Sequence, residues 1–267
     1  MRRVVVFIVG MFCLMGQVAY GQGLLSLGSS QQGRGWDAVG RLEIGGKAFC
    51  TGALIAPNLV LTAAHCLYDP STSELVPASD IQFLAGWRNG RAAAYRHVRR
   101  AVHHSEYNYQ AKANTDRVSN DVALLELQHP IRNTTITPFE TARRPSSGDE
   151  VGVVSYTHDN AEAPSLQELC EVISRQDGII IMSCQVDFGA SGSPVFSFQA
   201  GKPKIVSIVS AKAEADGIPV SLGVSLEGPI DALRRELEQA TGLSGTPGTR
   251  VLGAGNRTDT GAKFVKP

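Results

Sequence analysis

The sequence predicts an all-β protein, either a barrel or a sandwich. Three observations carry this. Eight short runs, "RLEIGG", "ALIAPNLVLTAA", "IQFLAG", "DVALLEL", "EVGVVSY", "GIIIMSCQV", "KIVSIVSA" and "SLGVSL", are rich in Val, Ile and Leu. Gly, Pro, Asn, Asp and Ser separate them. No amphipathic helix lies between them, as a parallel α/β sheet would require.

In chain order, "MRRVVVFIVGMFCLMGQVAYGQ" comes first. Arg2 and Arg3 form a basic start. Val4 to Met15 is an apolar run of secretory-signal length, too short to span a bilayer comfortably. Ala19 and Gly21 are spaced like a cleavage site, so residues 1–21 are expected to leave and Gln22 to become the first residue. A retained anchor helix is the weaker alternative. Phe12 before Cys13 is too large for a lipoprotein signal. No later apolar run is long enough to span a membrane. These features predict a secreted or periplasmic protein with no stable membrane span after processing.

Residues 22–35 read as an N-terminal segment or a short propeptide. The strand-rich body follows. It is interrupted by the polar stretch "HPIRNTTITPFETARRPSSGDE", which reads as a crossing between two halves. One helix is expected in "EGPIDALRRELEQATG". Pro229 suits its first position, Ile230, Leu233, Leu237 and Ala240 line one face, and Gly242 can end it. Residues 241–267 are rich in Gly and Thr and read as a flexible tail.

The chain carries 25 basic and 25 acidic residues. Loss of Arg2 and Arg3 leaves 23 against 25, a net of −2. The tail holds Arg250, Arg257, Lys263 and Lys266 against Asp259, a net of +3, so the body is near −5. That balance argues against nucleic acid as a partner, which calls for a basic face.

Cys50, Cys66, Cys170 and Cys184 survive signal removal. An even count behind a signal predicts two disulfides, with three pairings open. No close-spaced cysteine pair marks a zinc site. No metal and no cofactor is expected.

Three residues then stand out in order: His65 in "VLTAAHCL", Asp121 in "SNDVALLEL" and Ser191 in "FGASGSPVF". Each alone has an ordinary reading as a turn or structural residue. Together they match one chemistry. A serine hydroxyl is a weak nucleophile until a base takes its proton. Histidine suits that role because it ionises near neutral pH. A buried carboxylate on its other nitrogen fixes the tautomer. The α/β-hydrolase elbow is not met, since Ser193 stands where its second glycine belongs.

On "CTGALIAPNLVLTAAHC", "SNDVALLEL", "GASGSPVF" and "KIVSIVSA", the chain resembles the chymotrypsin-like serine peptidases, and more closely their bacterial glutamyl-endopeptidase-like branch. The resemblance runs from about Trp36 to Ala240. It implies two six-stranded antiparallel β-barrels, 36–140 carrying His65 and Asp121 and 141–240 carrying Ser191, with the site in the cleft and a closing C-terminal α-helix. It implies a serine endopeptidase in which His65 is the base, Asp121 its partner and Ser191 the nucleophile. The amides of Gly189 and Ser191 would form the oxyanion hole. It also implies a Cys50–Cys66 disulfide. Cys170 and Cys184 flank "EVISRQDGIIIMS", and folding that segment as a hairpin around Gln176–Asp177 pairs them.

By motif matching, Ser210 supports the aspartate, and Ala211 and Lys212 line the cleft. Glutamyl endopeptidases carry a pocket histidine just before that serine, and Val209 stands there instead. Lys212 would attract an acidic side chain, whereas Asp187 or Gln185 would favour a basic or polar one. Digestive members have a carboxylate before the nucleophile that pairs with a newly cut N-terminus. Ala190 has none, and the usual Arg-Ile-Val-Gly-Gly junction is missing, so no such switch is expected. The expected partners are protein or peptide substrates, and the expected state is a monomer. A catalytically silent binding protein of the same fold, or an esterase with the same triad, is the alternative.

Overall fold

A computed structural model describes residues 24–243 apart from 113, 200 and 216, and leaves the side chains of 240–243 undescribed. The expected signal lies outside the described residues, as does the expected tail apart from residues 241–243, which belong to the last helix rather than to a tail. The elements in order are β1 (Leu25–Ser26), β2 (Val39–Ile44), β3 (Ala48–Ala56), β4 (Leu59–Thr62), β5 (Ile81–Ala85), β6 (Ala94–His103), α1 (Thr115–Ser119) and β7 (Ala123–Leu127). They continue with β8 (Glu150–Ser155), β9 (Ser165–Gln176), β10 (Ile179–Met182), β11 (Pro194–Ser197), β12 (Lys204–Ala215), β13 (Ile218–Ser225) and α2 (Pro229–Leu243).

Two closed antiparallel barrels result. The first runs β2-β3-β4-β7-β6-β5 and back to β2. Leu42, Leu54, Leu61, Phe83, Val98 and Leu125 fill it, all fully or almost fully buried. The run "ALIAPNLVLTAA" is two strands, broken where Pro57 withholds a ladder N–H. The second barrel runs β8-β9-β10-β13-β12-β11, closed by pairing of β11 and β9 with β8. Its core is Val151, Val153, Val172, Ile180, Met182, Val195, Val206 and Val209. The polar crossing, 128–149, links β7 to β8 without a strand of its own.

Both expected disulfides are present, Cys50–Cys66 and Cys170–Cys184. The hairpin carrying the second turns at Asp177–Gly178, one residue later than expected, because Gln176 pairs with Ile179. Both turn residues have positive φ, 48° and 82°, the twist that suits a two-residue hairpin. Helix α2 begins at Pro229 and runs one residue past Gly242. It packs on β6 and β7 and buries Ile230, Leu233 and Leu237. Each such side chain contributes roughly 1.5–3 kcal/mol. The Ala240 side chain lies outside the described residues.

Residues 24–35 are stitched to both barrels. β1 pairs with β9, and the Leu27 N–H donates to the Pro164 carbonyl at 2.8 Å. The Arg88 guanidinium donates to the Leu27 carbonyl at 2.8 Å, the Gly33 carbonyl at 3.2 Å and Asp37 at 2.6 Å. Leu27 itself is buried. A form beginning at Gly35 loses that burial, about 2 kcal/mol, and should melt roughly 4–8 °C below a form beginning at Gln22. Calorimetry of the two forms checks this. An unchanged melting temperature with raised activity would instead mark 22–35 as a blocking propeptide.

Candidate active site

His65 lies in a short 3₁₀ turn, Ala64–Leu67, directly after β4. The Cys50–Cys66 disulfide ties that turn to β3. Asp121 lies between α1 and β7 and is almost fully buried. A buried carboxylate needs strong donors in place of water. Asp121 has three. His65 Nδ1 is 2.7 Å from Oδ2, the His65 backbone N–H donates to Oδ1 at 2.8 Å, and Ser210 Oγ donates to Oδ2 at 2.5 Å. An ionised carboxylate only accepts, so Nδ1 carries the proton and Nε2 is left as an acceptor. The nearby Tyr107 phenol is pushed well above its ordinary pKa, first by burial and then by the Asp121 charge.

Ser191 stands on a tight turn clamped between the two barrels. Its carbonyl accepts from Thr51 N–H on β3 at 2.9 Å. The next residue, Gly192, donates to the Val209 carbonyl on β12 at 2.8 Å, and Val209 N–H returns to the Ser193 carbonyl at 2.9 Å. Gly192 has φ +75°, and a Cβ there would come within 2.2 Å of Thr62 Oγ1 and 2.4 Å of the Thr51 carbonyl. Thr62 leads into the His65 turn, so only glycine lets the serine turn sit against it. Gly192→Ala should therefore cost at least about 2 kcal/mol, read as a lower urea midpoint at unchanged slope.

Gly189 has φ +94°, and a Cβ there would lie 2.6 Å from the Phe49 ring. Ala190 N–H donates to the Asp187 carbonyl at 3.0 Å. Among the described residues, the amides on either side, Gly189 and Ser191, donate to no protein acceptor. Two N–H donors on one turn are thus left for a ligand oxygen. Ser193 is fully buried, and its hydroxyl has no partner among the described residues. It packs behind the turn. No hydrogen bond joins the Ser191 hydroxyl to His65 among the described residues, and such contacts commonly tighten only with substrate.

Of the residues expected to line the cleft, Ser210 contacts Asp121, Ala211 is half-buried and Lys212 is exposed. Lys212 Nζ lies 3.0 Å from Asp187 Oδ1. Asp187 is held below the usual carboxylate range, first by the Phe188 N–H and then by Lys212. Sequence reasoning set these two residues as rivals, and the fold brings them together.

Sequence reasoning missed Thr51. Its buried hydroxyl donates to the Gly189 carbonyl at 3.0 Å and accepts from the Tyr156 N–H at 3.0 Å. It also missed His158, whose N–H donates to the Phe188 carbonyl at 2.8 Å. A threonine inside an apolar strand block was the one available signal. Cys50, His65 and Cys66 offer ligand-type atoms within 4.8 Å of one another. Both sulfurs are spent in the disulfide and Nδ1 faces Asp121, so the donor set does not suit a metal.

The trypsin family model matches residues 26–225. Glutamyl endopeptidase of Bacillus licheniformis is 25% identical over 171 residues, covering 63% of this chain and 52% of the relative. Mannan-binding lectin serine protease 1 of Mus musculus is 33% identical over 126 residues, covering 42% of this chain and 17% of the relative. The chain thus spans about half the length, or much less, of these curated relatives. A solved Glu endopeptidase structure superposes with a TM-score of 0.62 at 19% identity, over 78% of this chain and 91% of that one, which speaks for the fold alone. With a family model matched over most of the body and two closed barrels, the chain belongs to the trypsin family of serine proteases.

Proposed function

We propose that the protein is a secreted or periplasmic serine endopeptidase that cleaves proteins or peptides through an acyl-enzyme. His65 takes the proton from Ser191 Oγ through Nε2. Asp121 holds the imidazole and stabilises its charged form. The serine oxygen attacks the scissile carbonyl, and the amides of Gly189 and Ser191 receive the oxyanion. The imidazolium then protonates the leaving amine. Water, activated by the same histidine, releases the acyl group. The observation that carries this reading is the Asp121 carboxylate with all three donors in place, beside a serine turn that leaves two amides free.

Ala190 offers no charge to an N-terminal ammonium. The hydrogen bonds from Thr51, Val209 and His158 hold the turn instead, so the signal-processed form is competent without a further cut. Two disulfides fit an oxidising compartment. Among the described residues, no helix is long and apolar enough to cross a membrane.

The test is incubation of the protein beginning at Gln22 with a peptide library, followed by mass spectrometry and pre-steady-state kinetics. Internal cleavage with a burst of the first product supports the proposal. A folded protein that cuts simple esters but no peptide would instead mark an esterase.

A further inference from the structure

Asp187 and Lys212 come from separate parts of the second barrel, the connection between β10 and β11 and strand β12. Asp187 and Phe188 lie just before the Gly189–Ser191 turn. Lys212 lies two residues past Ser210 on β12, and Ser210 touches Asp121. Lys212 Nζ sits 3.0 Å from Asp187 Oδ1 and 4.1 Å from the centre of the Phe188 ring. The pair therefore ties the segment that leads into the Ser191 turn to the strand that carries Ser210.

Opposite Lys212 on β13 stands Ser221, which pairs in turn with Met182 on β10. Directly opposed residues share a sheet face, so Lys212, Ser221 and Met182 form one row. Ser221 and Met182 are fully buried, and the Ser221 hydroxyl has no partner among the described residues. The row thus runs from an exposed charged rim into the buried core of the second barrel.

The side chain next to an attacked carbonyl must lie close to Ser191; Asp187 stands four residues before Ser191, and Lys212 three residues past Val209, whose carbonyl accepts from the Gly192 N–H. A charged side chain entering there has to part the pair and leave one member without its counter-ion. An uncharged one does not. We propose that Asp187 and Lys212 are specificity-determining residues whose mutual neutralisation makes the site select an uncharged side chain at the residue whose carbonyl is attacked. Each masks a preference held by the other, Lys212 for acidic side chains and Asp187 for basic ones. This rests on the reading of Ser191 as the nucleophile.

The test compares Asp187→Asn, Lys212→Met and the double variant with the wild type. Asparagine keeps an oxygen for the Phe188 N–H, and methionine keeps a chain on the Phe188 ring. Acetylated tetrapeptide acids that differ only in a final Glu, Leu or Lys are titrated by calorimetry, and matching amide substrates are assayed. The wild type should favour Leu. Asp187→Asn should raise Glu relative to Leu about fivefold, and Lys212→Met should raise Lys relative to Leu by a similar factor, the upper range for an exposed ion pair. The double variant should return to the wild-type order. Shifts below about twofold in both single variants, or a wild type that prefers Glu or Lys, overturn the proposal. Shifted peptide binding with no turnover and no fluorophosphonate label in any form would sink the nucleophile reading but leave the rim standing. Normal labelling and turnover with unmoved ratios would do the reverse.

Discussion

Ser191→Ala should lower kcat by about 10⁶ while leaving the fold intact, as removal of the serine does in a comparable triad. The hydroxyl supplies the attacking oxygen, and no other group on the turn can replace it. The backbone contacts that hold the turn, including Thr51 N–H to the Ser191 carbonyl, survive the substitution. Ser193→Ala is the control two residues away. It removes a buried hydroxyl with no partner among the described residues, so stability should hold or rise slightly. Its kcat should stay within about tenfold of wild type, a loss far short of that triad effect. Turnover numbers and thermal melts of both variants check this. Equal losses in the two, or substantial activity in Ser191→Ala, would overturn the assignment.

Asp121→Asn should cost about 10⁴ in kcat with KM little changed, because Asp121 touches His65 and Ser210 rather than substrate. The carboxylate accepts three hydrogen bonds, and an amide cannot. If the asparagine oxygen keeps the His65 backbone N–H, its NH₂ faces Nδ1. That drives the ring proton to Nε2, where the base is needed. The side chain keeps its size, so near-ultraviolet circular dichroism should not change. A kcat within tenfold of wild type would show that Asp121 does not set the histidine tautomer.

The strands legible in the sequence were those with a dry core on at least one face, such as β7 and β12, which read as apolar runs. β6 was not legible. It carries Arg96, Arg99 and Arg100 on a largely half-buried strand, and Arg100 serves as a clamp, bonding Glu126 and the Leu237 carbonyl. β9 was half legible, because its partner changes along its length from β1 and β8 to β10 and no single alternation survives. Helix α1 is one turn, capped by Asn114, too short to show a period. His65, Asp121 and Ser191 were marked by their flanking residues. The Gly189 and Ser191 amides were named only through the family resemblance, since backbone groups leave no residue-type signature. The Asp187–Lys212 pair was not legible, because its members lie 25 residues apart and meet only in the fold.

The central claim is that Ser191 is a nucleophile activated by His65. It is tested most directly by reacting the folded, disulfide-bonded protein with a fluorophosphonate and mapping the adduct by mass spectrometry. One label per molecule, on Ser191 and lost in His65→Ala, is the predicted result. No label, or a label on Ser193, would contradict it.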